Sequence, residues 1–409
     1  MRCRDQERLS KVRVIGMISG TSFDAVEAAL ADLELDGDTL VCELVEHRSV
    51  PYPLAVREAI AAILPPAATT IEQVCQLDAA IGQFFGAVAR GLVDSHGGVE
   101  AVCSHGQTVF HWVEGGVAKG TLQLGEAAWI AEATGAVVVS DVRNRDIAAG
   151  GHGAPLASLL DVLLLGREPP VVSGSLNLGG IANATIVGPG RDPIAFDIGP
   201  ANALLDATVE WLTDGQEHYD HDGARARRGQ ADRAFVERLL DDPYFSLSPP
   251  KSTGKEYFNL GYVTSRLDLG RLDGKSVVPD DLVASITVAT AEMVASALRG
   301  FDVGDLLVAG GGTRNATFMG ELGERLPGVR IRRTDELGVP EAAKEALVFA
   351  IIGFLTLRGL PATIPSCTGA VRASVLGSVT PGQGPVPVQV DPGRRPPTRL
   401  VVRSASAAS

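Results

Sequence analysis

Cysteine is scarce in this chain, and its cysteines form no recognisable framework. The five cysteines among 409 residues are Cys3, Cys42, Cys75, Cys103 and Cys367, and no two have C-x-x-C spacing. An odd number of scattered cysteines argues against both a disulfide scaffold and a zinc site. We therefore expect reduced thiols in an intracellular protein.

The chain also lacks an excess of positive charge. It has 36 Lys and Arg against 49 Asp and Glu, which gives a formal net charge of -13. Because nucleic-acid-binding proteins need a basic face, we expect no nucleic-acid partner. An anionic small-molecule substrate remains compatible with this composition, since the charge of one site can differ from the average.

Long hydrophobic runs are missing as well. The N-terminal segment is charged, and the apolar run after it is too short for a secretory signal. The most apolar segment, residues 345–357, is shorter than the about 20 residues that a membrane span needs. The sequence predicts a soluble cytoplasmic protein with no membrane partner.

What the chain does have is enough apolar sequence for two domains and a repeated order of elements. Residues 12–19, 25–34 and 40–50 read as three strands joined by short turns. From residue 171 the same order returns as strand, glycine-rich turn, strand, turn and strand. We therefore predict an internal duplication in which each half begins with a β-meander.

The first glycine-containing turn has the residues that a phosphate would need. In "SGTSFDA" a Gly-Thr-Ser turn offers backbone N–H groups and two hydroxyls, and Asp24 follows two residues later. A carboxylate at this distance can hold Mg²⁺, usually through water. Taken alone, an ordinary hairpin turn explains the stretch at least as well.

Two later turns also combine glycines with hydrogen-bonding side chains. "NLGGIANAT" contains Gly179 and Gly180 with Asn177 and Asn183 beside them, and "VAGGGTRN" places three glycines between a buried strand and a helix. A dinucleotide-binding turn does not fit the third loop, because its spacing is not G-x-G-x-x-G. Three such loops on a duplicated meander predict an α/β, two-domain actin/hexokinase-like (ribonuclease H-like) fold, with helices around a central ATP cleft.

These loops belong to a longer series of stretches that resembles the anhydro-N-acetylmuramic acid kinase family. The resemblance runs from about Val12 to Val379. The stretches that carry it, in the order of the family, are "GTSFDAVEAAL", "SHGQTVFH", "LQLGEAAWIAEATG", "DVRNRDIAAGGHGAPL", "LNLGGIAN", "FDIGPANALLDA", "KSTGKEYFN", "AGGGTRN", "EALVFA" and "PSCTGA".

The resemblance implies a reaction. ATP and water act on anhydro-N-acetylmuramic acid: water opens the 1,6-anhydro ring and the 6-oxygen receives the γ-phosphoryl group, which gives N-acetylmuramate 6-phosphate and ADP during peptidoglycan recycling. The base of the family maps onto Asp197 in "FDIGPAN". A carboxylate suits that role, as in inverting glycoside cleavage. From the residues alone, an aspartate that caps the helix beginning near Asn202 is the commoner explanation.

The resemblance also implies which residues bind ATP and sugar. The cofactors are ATP and Mg²⁺, with Asp24 as the metal-binding residue. The expected ATP-binding residues are Gly20, Thr21, Ser22, Phe23, Asp24, Ala25, Val26, Glu27, Asn177, Gly179, Gly180, Gly310, Gly311, Gly312 and Asn315. The expected sugar-binding residues are Glu345, Asn202, Lys255, His105 and Arg143. For His105, a buried and satisfied histidine is an equally good explanation.

The chain departs from the family pattern at a few positions. Ala25 stands where the first loop has glycine, which would strain the turn if that position has a positive φ. Glu27 replaces an aspartate, Ile198 a threonine, Ala201 a glycine and His152 a glutamine. Since Asp24 and Asp197 are retained, these departures do not predict an inactive enzyme.

Two other functions remain open at this point. A kinase of an ordinary N-acetyl amino sugar could use Asp197 to deprotonate a hydroxyl group. A sugar-binding sensor with a weakened ATP site is compatible with Ala25 and Ile198. We expect residues 1–135 and 361–380 to form the first domain, residues 136–360 the second, and residues 381–409 a disordered tail. A homodimer is expected from the resemblance alone.

Overall fold

Two β-sheets, formed by different parts of the chain, carry the fold. The computed structural model describes residues 11–267, 278–386 and 393–403. Its contacts divide the chain into unit 1, Met1–Gly166 with Leu337–Ser409, and unit 2, Arg167–Glu336. Each unit is described by itself below.

The strands have the following bounds. In chain order they are β1 (Val12–Ser19), β2 (Ala25–Asp36), β3 (Thr39–Pro51), β4 (Ala101–Glu114), β5 (Val117–Leu124), β6 (Val137–Ser140), β7 (Ser173–Leu178), β8 (Ile181–Gly188), β9 (Arg191–Pro200), β10 (Asp305–Ala309), β11 (Arg330–Arg333), β12 (Ser378–Thr380) and β13 (Arg399–Arg403).

The α-helices lie between and after these strands. In chain order they are α1 (Leu54–Ile63), α2 (Ile71–His96), α3 (Ala127–Thr134), α4 (Asn144–Ala148), α5 (Ser158–Leu165), α6 (Asn202–Leu212), α7 (Ala224–Arg228), α8 (Arg233–Leu240), α9 (Leu260–Arg266), α10 (Pro279–Arg299), α11 (Ala316–Arg325), α12 (Lys344–Leu357) and α13 (Pro365–Thr368).

Both sheets are built on the same plan, which confirms the α/β class and the predicted duplication. In unit 1 the order is β12-β6-β4-β1-β2-β3-β13, with β5 paired to β4; in unit 2 it is β11-β10-β7-β8-β9. β1–β2–β3 and β7–β8–β9 are antiparallel meanders. β4 joins β1 in parallel, and β10 joins β7 in parallel. Such a parallel partner needs a long crossover, which the helices provide.

The apolar helix α12 packs directly on the meander of unit 1, where it contacts β1, β2 and β4. Gly16 of β1 makes this approach possible: a Cβ added there would lie 2.1 Å from the carbonyl oxygen of Ala346 and 2.2 Å from the amide nitrogen of Ala350. Only glycine lets a strand and a helix backbone come this close.

This packing corrects the expected domain boundaries. The division falls after residues 166 and 336, not after residues 135 and 360. The reason is that β6 pairs in parallel with β4, and α12 covers the same sheet. Both elements were assigned to the wrong domain because an apolar segment does not indicate which sheet it covers.

The C-terminal segment contains a strand where we expected disorder. β13 pairs in parallel with β3 from Arg399↔Thr39 to Arg403↔Glu43, and Leu400 is buried. The expectation for residues 381–409 is therefore wrong at 399–403. Residues 387–392 and 404–409 lie outside the described residues. β13 supplies a hydrogen-bonding partner to β3, a strand that would otherwise be an open edge.

The stretch "SHGQTVFH" lies on a long strand, since β4 continues to Glu114 and the chain returns as β5. The two strands form an antiparallel hairpin from Gln107↔Leu124 to Glu114↔Val117. Gly115 and Gly116 form the turn, and both have a positive φ, as short hairpin turns require.

α10 is the described helix that is long and apolar enough to cross a membrane by length and composition, yet 72% of its apolar window is buried inside the protein. Leu282, Val283 and Ile286 pack in the core of unit 2. A buried core helix passes the same test as a membrane span.

Cys42, Cys75 and Cys103 are free thiols, of which Cys42 and Cys103 are buried. Cys3 lies outside the described residues.

Candidate functional site

The turn after β1 exposes the groups that we expected to bind phosphate. The Phe23 N–H donates to the Gly20 carbonyl at 3.1 Å, and Thr21 and Ser22 are exposed at the tip. A Cβ added to Gly20 would meet no atom within 4 Å. The space above Gly20 is therefore open to a ligand, and packing does not require glycine here.

The expected strain at Ala25 does not occur. Ala25 begins β2, whereas the residue with positive φ is Phe23, at +42°. Phe23 packs against the core of unit 1, and that packing offsets a cost of about 1 kcal/mol for the left-handed conformation. The departure at Ala25 therefore gives no reason to suspect a damaged loop.

Asp24, the expected metal-binding residue, is exposed and forms an ion pair. Arg57 Nη2 lies 2.6 Å from Asp24 Oδ1. No cluster of three or more His, Cys, Asp or Glu side chains within the described residues could hold a metal alone. One exposed carboxylate still fits Mg²⁺, which takes one or two carboxylates together with substrate phosphates and water.

The last two residues of this loop have structural partners. Val26 has no exposed surface and belongs to the core of unit 1. Glu27 accepts hydrogen bonds from His47 Nε2 at 2.7 Å and from Ser49 Oγ at 2.5 Å. Burial raises the pKa of Glu27, but these two hydrogen bonds outweigh it and the net pKa is lowered. The side chains of Val26 and Glu27 therefore stabilise the β2–β3 pair, and only the backbone groups of these two residues could contact ATP.

His105 and Arg143 form a buried pair in unit 1. Arg143 Nε donates to His105 Nε2 at 2.9 Å, and His105 Nδ1 donates to the Gly106 carbonyl at 3.0 Å. Burial and the Arg143 charge lower the pKa of His105 to about 3. The ring is thus neutral with both nitrogens engaged. These contacts favour the other explanation given for His105, a buried and satisfied histidine, and they show that it holds Arg143.

Glu345 lies near this pair, and its carboxylate forms no hydrogen bond within the described part of the chain. It follows Lys344, whose Nζ lies 2.6 Å from Asp161 Oδ1 in a buried ion pair. The Glu345 side chain reaches solvent, yet neighbouring atoms remove part of its hydration and raise its pKa. The charges of Lys344 and Arg143 partly offset that rise. Arg143 and Glu345 thus offer a cation and a free carboxylate in one region.

A cavity of about 260 Å³ opens beside His105. Its wall includes Ser104, Gln123, Asp141 and Asn144. The Ser104 hydroxyl is buried and has no hydrogen-bond partner in the part of the chain that the structure describes. Polar lining and an unpaired hydroxyl suit a ligand that carries hydroxyl or amide groups.

Asp146 has a structural role near this cavity. Its carboxylate is fully buried and accepts from Gly153 N at 2.7 Å and Thr368 Oγ1 at 2.8 Å. It pairs neither with Arg143 nor with solvent. Asp146 therefore ties the glycine-rich segment 149–153 to the "PSCTGA" segment.

In unit 2, Asn177 brings the second and third glycine loops together. A Cβ on Gly179 would lie 3.6 Å from Asn177 Nδ2, and one on Gly310 would lie 2.7 Å from Asn177 Oδ1. Lys255 also crosses this region, since a Cβ on Gly180 would lie 2.4 Å from its Cε. The expected ATP-binding residues of unit 2 are therefore neighbours.

The start of α6 docks onto the Gly179–Gly180 turn. The N–H groups of Ala201 and Ala203 donate to the Gly180 carbonyl, at 2.9 and 3.0 Å. Asn202 Nδ2 donates to the Leu178 carbonyl at 3.0 Å. Asn202 was expected to bind sugar, but this contact shows that its amide group helps to fix the turn.

The three glycines of "AGGGTRN" have different reasons to be glycine. Gly310 has a φ of +92°, and a Cβ added there would lie 2.6 Å from the carbonyl carbon of Leu178. A Cβ added to Gly312 would lie 2.8 Å from the Cβ of Leu178. A Cβ on Gly311 would meet nothing closer than 3.9 Å. Asn315 is the N-cap of α11 and accepts from Phe318 N at 2.9 Å. Gly311 is thus the glycine left open to a nucleotide.

This difference gives a matched pair of variants. We expect Gly310→Ala to lose about 2 kcal/mol of folding free energy or more, from strain and overlap with β7. Gly311→Ala should melt like the wild type but show a smaller increase in melting temperature with ATP. Differential scanning calorimetry with and without ATP measures both. An unchanged ATP-induced shift in Gly311→Ala would exclude a nucleotide contact there.

Asp197 lies within β9, three residues before its end, and is half-buried. Its Oδ2 accepts from Ser252 Oγ at 2.7 Å and from Thr253 N at 3.0 Å. Burial raises its pKa, and these two hydrogen bonds oppose the rise. Ser252 belongs to a loop 55 residues further along the chain, so a distant segment holds the Asp197 carboxylate.

Comparison with known proteins decides the family. The sequence model of the anhydro-N-acetylmuramic acid kinase family matches residues 12–382. The chain belongs to the anhydro-N-acetylmuramic acid kinase family. Strand β13 lies beyond the matched residues, so the family pattern does not account for it.

Curated anhydro-N-acetylmuramic acid kinases of high sequence identity agree with this assignment. The protein of Streptomyces coelicolor is 53% identical over 393 residues, which cover 96% of this chain and 99% of that protein. The protein of Rhodococcus erythropolis is 50% identical, with 92% of this chain and 96% of that protein covered. A solved structure, the activator of a 2-hydroxyisocaproyl-CoA dehydratase from Clostridium difficile, covers 84% of this chain and 94% of its own at 13% identity and a TM-score of 0.40.

The departures from the anhydro-N-acetylmuramic acid kinase motifs fit the structure of unit 2. Ile198 is 1% and Ala201 2% exposed, and both lie in the core against β8 and α10. Their side chains fill the interior beside Asp197. His152 belongs to unit 1 and is exposed.

Two residues beside the expected site were missed. Asp206 is four residues after Asn202 on α6, and burial raises its pKa to about 6 while Lys255 opposes the rise. The helical spacing could have placed Asp206 on the same face as Asn202. Ser252 could not have been paired with Asp197, because nothing in the sequence relates two residues so far apart.

Proposed function

We propose that the chain is an ATP-dependent kinase that opens the 1,6-anhydro ring of anhydro-N-acetylmuramic acid by hydrolysis and phosphorylates the 6-oxygen. The products are N-acetylmuramate 6-phosphate and ADP. The observation that carries this proposal is Asp197, a half-buried carboxylate whose Oδ2 is held by two donors and whose Oδ1 has no donor among the described residues. The names of the curated relatives support the substrate.

Asp197 is the base in this proposal. A proton of the attacking water goes to Asp197, the water oxygen bonds to the anomeric carbon, and the bond from that carbon to the 6-oxygen breaks. The 6-oxygen then takes the γ-phosphoryl group from ATP and ADP leaves. Since phosphoryl transfer neutralises the leaving oxygen, no separate strong acid is required. Burial raises the pKa of Asp197 and makes the carboxylate a stronger base.

Arg143, Glu345 and the cavity beside His105 are the proposed sugar-binding groups. The Arg143 guanidinium uses Nε for His105, which leaves its two terminal nitrogens for oxygen atoms of the substrate. Glu345 can accept hydrogen bonds from a hydroxyl or from water. The cavity, with the unpaired Ser104 hydroxyl, offers room for a polar substituent of the ring.

ATP would be bound by the Gly20–Ser22 turn and by the loops around Gly180 and Gly311. Open space over Gly20 and Gly311 supports this assignment, because phosphate groups and the nucleotide must approach the backbone closely. Lys255, above Gly180, would contact a phosphate. Mg²⁺ would be held by Asp24 through water and would neutralise charge on the transferred phosphate.

The proposal places this chain in the cytoplasm of a bacterium, in peptidoglycan recycling and amino-sugar metabolism. A homodimer is also proposed, on the resemblance alone. Neither nucleic acid nor a membrane has a role in the proposal.

Arg143 offers a test of the sugar site. The planar guanidinium of Arg143 can donate to His105 and to two substrate oxygens at once, whereas the ammonium group of a lysine cannot. Arg143→Lys should therefore raise KM for the sugar about tenfold and leave KM for ATP unchanged. Steady-state kinetics with each substrate varied measures this. Arg145→Lys is the matched control, because Arg145 is an exposed residue of α4 two positions after Arg143. A parallel rise in both KM values would argue against a sugar contact.

An ADP-release assay tests the function itself. Purified protein with ATP and Mg²⁺ is given anhydro-N-acetylmuramic acid, N-acetylmuramate or N-acetylglucosamine in separate reactions. We expect turnover with the anhydro sugar only. Turnover with an ordinary sugar would make the chain a kinase without ring opening, and no turnover with all three would leave it a binding protein.

A further inference from the structure

The strand that carries Asp197 is an edge strand, and a loop covers it at this residue. β9 ends the order β11-β10-β7-β8-β9. The Asp197 N–H donates to the Lys251 carbonyl at 2.9 Å, and Thr253 N–H returns a bond to Asp197 Oδ2 at 3.0 Å. Residues 251–253 therefore pair with β9 for a short distance and stop at the carboxylate.

Tyr244 and Lys251 hold this loop in place. The Tyr244 hydroxyl donates to the Asp197 carbonyl at 2.8 Å. Lys251 Nζ donates to the Tyr244 carbonyl at 3.1 Å and lies 4.6 Å from the centre of the Tyr244 ring. Both backbone groups of Asp197 are thus engaged, and the residue cannot turn without breaking these contacts.

The two oxygens of the Asp197 carboxylate differ. Ser252 Oγ and Thr253 N both donate to Oδ2, at 2.7 and 3.0 Å. Across the described ranges no donor is bonded to Oδ1. Since a carboxylate oxygen with two donors has lost most of its power to accept a proton, Oδ1 is the basic oxygen.

We propose that Ser252 is a positioning residue for the reaction: its hydroxyl fixes Oδ2 of Asp197 and presents Oδ1 to the attacking water. This inference rests on the proposed function. In the reaction the water proton goes to Oδ1, while Ser252 keeps its own proton and remains a donor to Oδ2. Ser252 acts through Asp197 and itself contacts no reacting atom.

The hydrogen bonds to Asp197 determine whether loss of the Ser252 hydroxyl raises or lowers the pKa of that carboxyl group. A hydrogen bond to the ionised form lowers a carboxyl pKa, so its removal raises it. Burial already raises the pKa of Asp197, and Ser252 is the larger of the two opposing contributions. Thr253 donates from the backbone and survives any side-chain change. Ser252→Ala should therefore raise the pKa by about one unit and not remove the base.

The test compares Ser252→Ala with Ser252→Thr, which keeps the hydroxyl, and with Ser248→Ala, an exposed serine on the same loop. In Ser252→Ala we expect kcat to fall about tenfold and the acidic limb of the pH profile to move up by about one unit, with KM for ATP unchanged. Ser252→Thr should restore both, and Ser248→Ala should match the wild type. An unmoved acidic limb in Ser252→Ala would overturn the proposal.

A second readout does not depend on turnover. In protein labelled with ¹³C at the aspartate carboxyl groups, the Asp197 signal is assigned by its loss in Asp197→Asn, and its pKa is measured by NMR. We expect a higher pKa in Ser252→Ala than in the wild type, and equal values would overturn the proposal. A wild type that does not turn over the anhydro sugar would defeat the proposed function, yet this titration would still report whether Ser252 controls Asp197.

Discussion

Asp197→Asn should lower kcat with the anhydro sugar about a thousandfold, because a general base contributes about 10²–10⁴ in rate. The amide has nearly the same shape as the carboxylate. Its oxygen can still accept from Ser252 and Thr253, and its nitrogen then occupies the place of Oδ1, where no proton can be taken up. Steady-state ADP release under saturating substrates measures the loss.

The control for this variant lies on the same strand. Asp192 is an exposed residue of β9, and Asp192→Asn changes charge by the same amount. We expect Asp192→Asn to keep full activity, and both variants to melt within about 2 °C of the wild type, since neither removes a buried contact. Full activity in Asp197→Asn would remove Asp197 from the reaction.

Gly16→Ala should have the largest effect on stability. Its new Cβ would lie 2.1 Å from the Ala346 carbonyl oxygen and 2.2 Å from the Ala350 nitrogen. Both atoms belong to the backbone of a buried helix, so no side chain can move aside. We expect a loss of about 3 kcal/mol or more in the free energy of unfolding, and a melting temperature lower by roughly 6–12 °C.

Gly16→Ala should also weaken sugar binding, because Glu345 directly precedes Ala346 on α12. A displaced helix would carry the carboxylate with it and raise KM for the sugar. Gly20→Ala is the matched control, since a Cβ there meets no atom within 4 Å. It should keep the wild-type melting temperature and weaken ATP binding. Equal stability of Gly16→Ala and the wild type would contradict the close packing of β1 and α12.

Local patterns predicted the elements well but not their partners. The two meanders and the glycine loops follow from short stretches of sequence, because alternating burial and turn residues are local signals. The assignment of α12 to unit 1 was missed. That helix is buried on nearly every side, so its sequence has no polar face to indicate which sheet it covers.

In the candidate site, too, the sequence indicated individual residues but not the residues that contact them. Asp197 and Glu345 were named from motifs, and so was Arg143. Their surroundings were not: His105 supports Arg143, and Ser252 holds Asp197 across 55 residues of chain. The positive φ that we considered for Ala25 falls on Phe23, two residues earlier. Such pairings depend on tertiary structure, which a single sequence does not encode in any short stretch.

Hydrolytic ring opening is tested by running the reaction in ¹⁸O-labelled water, with mass spectrometry of the sugar phosphate, ADP and any inorganic phosphate. Ring opening by water that is activated by Asp197 predicts one ¹⁸O on the anomeric carbon of the sugar phosphate, and none in its phosphoryl group, which comes from ATP. Label in inorganic phosphate with none in the sugar would mean that water attacks ATP and that the ring is not opened by hydrolysis.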